Sequence, residues 1–171
     1  MINIEGLTLE NVKAVSEIEK ECIETPWGYD ELLKEISNEN AFYVCISTDG
    51  ETAGYGGMRI CADYADITNI AVLKKYRRKG FGTLILNELI KTAKNNGVND
   101  MTLEVNENNA SAISLYKKCG FSKVGIRKRY YNNKDNAIIM KMRRGDIAHM
   151  GLYRKNLIPV NGHRIPGQVG L

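Results

Sequence analysis

The spacing of apolar residues along the chain predicts a single mixed α/β domain. Apolar residues that alternate with polar ones mark strands, and apolar residues three or four positions apart mark helices. The predicted order of elements is β-α-α-β-β-β-α-β-α-β-β, over about residues 1–4, 9–22, 32–36, 42–47, 51–60, 66–72, 83–95, 101–105, 109–119, 121–125 and 137–142.

Polar residues, prolines and glycines mark the boundaries of these elements. Thr8 can cap the first helix, and Pro26-Trp27-Gly28 interrupts the helical pattern after it. Asp49-Gly50 has the composition of a hairpin turn. The strand that follows this turn contains glycines that indicate a bulge or a bend, at positions 54, 56 and 57.

The most informative segment joins a strand to a helix in the middle of the chain. The strand Asp66–Val72 leads into a turn, Lys74–Lys79, in which five of six residues are basic, and Gly80 and Gly82 follow at the start of a helix. Glycines let a ligand approach the backbone, and the free N–H groups of a helix start attract anions. The segment therefore predicts a pyrophosphate site, although it matches neither a P-loop nor a dinucleotide fingerprint.

Composition and charge limit the classes of function. No apolar run approaches the roughly 20 residues of a membrane span, and the first residues lack the features of a secretory signal, so we expect a cytoplasmic protein without membrane association. The net charge of +4 lies in residues 143–171, because residues 1–142 carry 19 basic and 19 acidic side chains. We expect a neutral domain over 1–142 that does not bind nucleic acid directly, and a basic C-terminal tail over 143–171 that is a short helix or disordered.

The chain offers few groups for metal or nucleophilic chemistry. Both histidines lie beyond residue 148, and the four cysteines are scattered without a Cys-x-x-Cys pair, at positions 22, 45, 61 and 119. We therefore expect no metal site, no disulfide framework and no Ser-His-Asp or Cys-His mechanism in the main body. Each cysteine is predicted to be a reduced, partly buried small hydrophobe.

Three segments together resemble the GCN5-related N-acetyltransferases. They are Asn-Ile-Ala-Val with Tyr-Arg-Arg-Lys-Gly-Phe-Gly, Leu-Glu-Val-Asn, and Asn-Ala-Ser-Ala-Ile-Ser-Leu-Tyr-Lys-Lys-Cys-Gly-Phe. Within that superfamily the chain is most similar to the ribosomal-protein-alanine N-acetyltransferases (RimI type), on Pro26-Trp27 and on Arg129-Tyr130-Tyr131. The resemblance covers about residues 2–142. It implies a twisted, mostly antiparallel sheet of about six to seven strands with splayed central strands, flanked by about four helices.

The resemblance also implies roles for individual residues. Acetyl-CoA would lie where two strands splay apart, Glu104 would be the general base and Tyr116 the general acid, and Trp27 and Tyr131 would contact the acceptor. The implied cofactor-binding residues are Ile70, Ala71, Val72, Arg77, Arg78, Lys79, Gly80, Phe81, Gly82, Thr83 and Asn109. From the pattern alone, Glu104 could equally be a solvated strand residue and Tyr116 a core residue.

General chemistry supports these roles. An amine must lose a proton to attack a thioester, which suits a carboxylate base, and the leaving thiolate needs a donor, which suits a phenol with a pKa near 10. The backbone N–H of Val72 can stabilise the oxyanion, and no metal is required. An α-amine is easier to deprotonate than a lysine by roughly 3.4 kcal/mol, which fits N-terminal acetylation without excluding lysine.

The resemblance implies direct acetyl transfer, without an acetyl-enzyme, to the N-terminal alanine of the eighteenth small-subunit ribosomal protein. We expect a monomer or a weak homodimer. Three alternatives remain open from the sequence. The acceptor could be a small-molecule amine or a protein lysine, the domain could be a non-catalytic acyl-CoA-binding module, or the tail could bind RNA.

Overall fold

The structure is a computed structural model that describes residues 1–143 and residue 145. The tail expected over 143–171 therefore lies outside the described residues, apart from residues 143 and 145. The elements are β1 (Ile2–Glu5), α1 (Val12–Cys22), α2 (Tyr29–Ile36), β2 (Ala41–Thr48), β3 (Glu51–Cys61), β4 (Tyr64–Val72), a 3₁₀ turn (Lys74–Tyr76), α3 (Phe81–Asn95), β5 (Asp100–Asn106), α4 (Ala110–Lys118), β6 (Ser122–Tyr131) and β7 (Asp135–Arg143).

The strands form one seven-stranded sheet in the order β1-β2-β3-β4-β5-β7-β6. Every neighbouring pair is antiparallel except β4 and β5, which are parallel. These two strands pair only along Tyr64–Ile67 and Asp100–Leu103 and continue unpaired with each other beyond that point. A bulge at Thr68, between the pairs Ile67–Met58 and Asn69–Gly57, coincides with the separation. The predicted mixed sheet with splayed central strands is confirmed.

Two apolar cores cover the two faces of the sheet. On one face, buried residues of α3 pack against the sheet, together with Tyr116 of α4, Leu103 and Val105. On the other face, residues of α1 and α2 pack against Tyr43, Cys45, Tyr55 and Ala71. Glu104 alternates with Leu103 and Val105 along β5 and therefore points to the α1 and α2 side.

Glycines in β3 allow α3 to lie close to the sheet. A Cβ atom at Gly56 would lie 2.4 Å from Cγ2 of Ile85, and one at Gly54 would lie 2.7 Å from the carbonyl oxygen of Ala71. The bulge predicted from these glycines is present in β3 at Ala53, beside Gly54, because Ile46 pairs with Gly54 and Ser47 pairs with Thr52. Close approach of the helix is a second reason for glycine here, which the strand pattern did not reveal.

Several boundaries differ from the prediction. α1 begins at Val12 rather than at residue 9, because Thr8 and Asn11 exchange hydrogen bonds ahead of the helix (Thr8 N–H to Asn11 Oδ1, 2.8 Å). β6 continues to Tyr131 through two register shifts, and β7 runs to Arg143, one residue beyond the predicted domain.

All four cysteines are free thiols. Cys45 and Cys119 are buried and Cys22 is partly buried, as expected. The prediction was wrong for Cys61, which is exposed because it lies at the end of β3, where the strand emerges from the core.

Candidate active site

The sheet opens into a gap where β4 and β5 separate. The Leu73 N–H donates to the Ala53 carbonyl on β3 (3.0 Å), so the N–H and C=O of Val72 point away from β3 and toward the gap. Among the described residues, no strand pairs with β4 on this side beyond Ile67. The Ile70 backbone and the Val72 N–H, predicted to hold the pantetheine arm and the oxyanion, are therefore accessible for pairing with a ligand, whereas the Val72 carbonyl already accepts from Arg77 Nε (2.9 Å).

The loop that follows β4 ends in a helix start rich in free amides. Arg78 and Gly80 both have left-handed backbone conformations (φ 63° and 84°), and α3 begins directly afterwards. In the described part of the chain, the amides of residues 78–83 donate to no protein acceptor, and Leu84 is the first to bond back, to the Gly80 carbonyl (3.1 Å). The first turn contains no acidic residue. These N–H groups lie at the positive end of a helix, as an anion seat requires, and the binding of a pyrophosphate by them stays a prediction.

The cations of this loop are not all directed at the seat. Lys75 pairs with Glu51 (2.7 Å), and the Lys79 ammonium lies over the Tyr76 ring (5.3 Å). The Arg77 Nε donates to the Val72 carbonyl (2.9 Å) and its guanidinium contacts the Cys22 thiol, so Arg77 braces the end of β4. The cofactor contact expected of Arg77 stays a prediction.

Glu104 lies where the gap opens, directly after the last residue of β5 that pairs with β4. Its side chain is 24% exposed, and its Oε1 forms an ion pair with Nε of Arg127 on β6 (2.9 Å). The Arg127 guanidinium also lies 5.7 Å from the centre of the Tyr130 ring. The carboxylate is therefore part of a polar cluster, and its second oxygen makes no ion pair among the described residues.

A distortion of β6 brings two tyrosines to this carboxylate. The register with β7 shifts between Arg127 and Tyr131, where Arg129 has φ 52°. The rings of Tyr130 and Tyr131 meet edge to face with centres 5.1 Å apart. Interaction with Glu104 raises the pKa of Tyr130, and burial, followed by the charge of Glu104, raises the pKa of Tyr131.

Tyr116 is buried on α4, where its ring packs edge-on against Phe121. Burial, with a smaller contribution from Tyr131, raises the pKa of Tyr116 to about 12. The phenol is therefore protonated at neutral pH and can act as a proton donor. Asn109 caps the same helix with its Oδ1, which accepts from Ala112 N–H (3.1 Å), so its side-chain N–H groups are the ones left to serve a ligand.

The connection between α1 and α2 forms the other side of the candidate site. The backbone N–H of Trp27 donates to the Glu19 carboxylate (3.1 Å), and the Arg59 guanidinium lies 5.5 Å from the Trp27 ring centre. Asn132 in the β6–β7 turn donates to Glu24 in the α1–α2 connection. The two segments that carry Trp27 and Tyr131, the predicted acceptor contacts, therefore touch each other.

The described residues contain neither a candidate metal site nor a candidate membrane-spanning helix. No group of three or more His, Cys, Asp and Glu side chains in this part of the chain could hold a metal ion. Among the described helices, none is both long and apolar enough to span a bilayer.

Sequence reasoning missed three residues at the site: Glu19, Arg127 and Tyr130. Arg127 gives no local signal, because its contact with Glu104 depends on β7 lying between β5 and β6. Tyr130 is part of the Arg129-Tyr130-Tyr131 motif, from which no separate role was predicted for it. Glu19 did give a signal, since a glutamate beside Val15 and Cys22 lies on the apolar stripe of α1.

Known proteins resemble this chain in sequence and in fold. The family model of the acetyltransferase (GNAT) family matches residues 12–121. The [ribosomal protein bS18]-alanine N-acetyltransferase of Haemophilus influenzae is 37% identical over 128 residues, covering 72% of this chain and 86% of the relative. The enzyme of the same name from Escherichia coli (strain K12) is 31% identical over 145 residues, covering 83% of this chain and 97% of the relative.

Solved structures support the same assignment. The crystal structure of the ribosomal-protein-S18-alanine N-acetyltransferase from Escherichia coli superposes with a TM-score of 0.77 and 29% sequence identity, covering 92% of this chain and 99% of that one. The chain therefore belongs to the acetyltransferase (GNAT) family and is an acyltransferase.

Proposed function

We propose that the protein transfers the acetyl group of acetyl-CoA to the N-terminal α-amine of a protein, the N-terminal alanine of ribosomal protein bS18. The names of its relatives support this acceptor. One structural observation carries the proposal. The gap in the sheet starts beside the Glu104 carboxylate and leads to a helix start, residues 78–83, whose amides have no acceptor among the described residues.

The coenzyme fits this gap by the chemistry of the groups around it. A diphosphate needs several N–H donors and positive charge, which the amides of residues 78–83, Arg78 and Lys79 offer. An amide-containing arm needs backbone partners, which the unpaired edge of β4 at Ile70 and Val72 provides. Asn109 can donate to the coenzyme further along.

The reaction is a direct transfer. The acceptor nitrogen attacks the thioester carbonyl carbon, and the Val72 N–H stabilises the oxyanion that forms. Glu104 removes the proton of the amine, directly or through water, with the carboxylate that Arg127 holds at the gap. The C–S bond then breaks, and the Tyr116 phenol protonates the leaving thiolate.

The acceptor binds between Trp27 and Tyr131. Both are only partly buried, and the segments that carry them meet through Asn132 and Glu24, so they can border a groove open to a chain terminus. The two buried carboxylates on this face, Glu19 and Glu35, already accept hydrogen bonds from protein groups. They therefore do not form the free acidic lining that a polyamine would need.

The test is incubation with acetyl-CoA and a panel of acceptors, followed by mass spectrometry. We expect acetylation of the α-amine of a peptide with the bS18 N-terminal sequence. The matched control is the same peptide with a blocked α-amine and a free lysine, which should stay unmodified. Acetylation of small-molecule amines alone, or of the lysine control alone, would contradict the proposed acceptor.

A further inference from the structure

Glu19 is a buried carboxylate that forms no ion pair with any cation of the described residues. It lies on α1 and is 1% exposed. Its Oε1 accepts from the Tyr55 hydroxyl and from Asn69 Nδ2 (3.2 Å), and its Oε2 accepts from the Trp27 N–H (3.1 Å). A carboxylate buried in such a place depends on hydrogen-bond donors held in fixed positions.

The three donors belong to three different parts of the fold. Tyr55 lies on β3, Trp27 lies in the α1–α2 connection, and Asn69 lies on β4 beside the bulge at Thr68. Asn69 also directly precedes Ile70, the first backbone position proposed to pair with the coenzyme. Glu19 therefore links the acceptor side of the site to the coenzyme strand through one carboxylate group.

A second buried carboxylate holds the Trp27 ring. The Arg59 guanidinium lies over that ring at 5.5 Å and forms an ion pair with Oε1 of Glu35 (2.9 Å). Glu35 is itself buried and accepts a hydrogen bond from the Tyr43 hydroxyl (3.3 Å). Trp27 is thus fixed through its backbone by Glu19 and through its ring by Arg59.

We propose that Glu19 and Arg59 are positioning residues for acceptor binding: they hold the Trp27 segment in its acceptor-contacting position at a set distance from β4. The proposal rests on the proposed function in one respect, that Trp27 contacts the acceptor. A segment that is already ordered loses less conformational entropy when a ligand binds, so this arrangement increases affinity for the acceptor.

The kinetic test compares Glu19→Gln and Arg59→Lys with Ile18→Val. Glutamine keeps the volume of Glu19 but turns one acceptor oxygen into a donor, and lysine keeps the charge of Arg59 but loses its flat stacking surface. Ile18→Val removes one methyl group from the neighbouring buried position and controls for general loss of stability. We expect KM for the acceptor to rise about tenfold in both test variants, while kcat and the KM for acetyl-CoA change about twofold or less.

A second measurement needs no acceptor. Trp27 is the only tryptophan of the chain, so intrinsic fluorescence reports on this segment alone. We expect acrylamide to quench Trp27 more strongly in Glu19→Gln and Arg59→Lys than in the wild type, and equally in Ile18→Val and the wild type.

The two measurements separate this proposal from the proposed acceptor. If the wild-type enzyme acetylates another class of amine and no α-amine peptide, the proposed acceptor is wrong, and the KM for that other amine decides the positioning roles. The positioning proposal would be overturned if both test variants had the same quenching and the same acceptor KM as Ile18→Val. Increased quenching without a change in the acceptor KM would also overturn it.

Discussion

At the scale of single residues, the surroundings of Glu104 and Tyr116 fit the opposite roles proposed for them. Glu104 is partly exposed at the gap and paired with Arg127, so the carboxylate can meet an incoming amine. Tyr116 is buried among apolar groups, which raises its pKa to about 12 and keeps its proton in place. One group is set to accept a proton and the other to donate one.

Replacing Glu104 by glutamine should give a defect that depends on pH. We expect kcat/KM to fall about 100-fold at pH 6.5 and by less toward pH 9, because an α-amine with a pKa of about 7.7–8.0 loses its proton without help there. The measurement is kcat/KM against pH with an N-terminal peptide. Glu39→Gln, a change at an exposed glutamate on the loop before β2, is the control and should behave as the wild type. A defect of equal size at every pH would argue against the base role.

Replacing Tyr116 by phenylalanine should lower kcat about 100-fold, because the leaving thiolate loses its donor. Burial raises the pKa of Tyr116, so its protonated form persists through the neutral range and is lost only as the pH approaches about 12. Ionisation of Tyr116 should therefore cause no decline of the wild-type rate between pH 8 and 10. Tyr64→Phe, at an exposed tyrosine, is the matched control. A variant with wild-type kcat would exclude Tyr116 as the acid.

At this scale, the sequence and the structure point to different residues of the candidate site. Glu104 and Tyr116 could be predicted from the sequence because each lies in a local segment that resembles a family motif. Arg127 is not, since the strand between its own strand and that of Glu104 comes later in the chain. Contacts of this kind depend on strand order, which hydrophobic periodicity does not contain.

At the scale of elements, the packing of α3 on β3 determines the shape of the gap. α3 lies over the β3 glycines and begins at the anion seat, so its distance from the sheet also sets the position of the free amides. The strand pattern predicted both elements, and it indicated that the glycines were unusual. It could not show that Ile85 occupies the space above them.

Substituting Gly56 by alanine should destabilise the fold by about 1–3 kcal/mol, because the added Cβ would overlap Ile85. Urea unfolding monitored by circular dichroism measures the change. Gly125→Ala is the control on an edge strand, where the nearest atom to a new Cβ is 3.4 Å away, and it should stay within about 0.5 kcal/mol of the wild type. Equal stability of the two variants would contradict close packing of α3.

At the scale of the whole molecule, the described residues form two cores and a seven-stranded sheet. β5 pairs along its entire length with β7, and β7 ends at Arg143. The order of elements followed from the apolar pattern, whereas the insertion of β7 between β5 and β6 did not, because nothing local distinguishes a central strand from an edge strand here.

Shortening the chain after residue 145 should leave the domain intact. We expect Tm to change by less than about 2 °C and kcat/KM to stay at the wild-type value, since no described contact of the cores or the sheet would be removed. Thermal unfolding and the peptide assay measure these quantities, with the full chain as reference. A loss of folding or activity would show that residues 146–171 belong to the domain.

The gap between β4 and β5 has one more consequence, for the relation between substrate and stability. In the described part of the chain, β4 lacks a neighbour along half of one side, so a coenzyme paired with Ile70 and Val72 would act as a temporary strand. Saturation at 100 times Kd should then stabilise the folded enzyme by about 2.7 kcal/mol. Hydrogen exchange of the Ile70 and Val72 amides should slow in parallel, so that the sheet reaches its full cooperativity only while the enzyme holds its substrate.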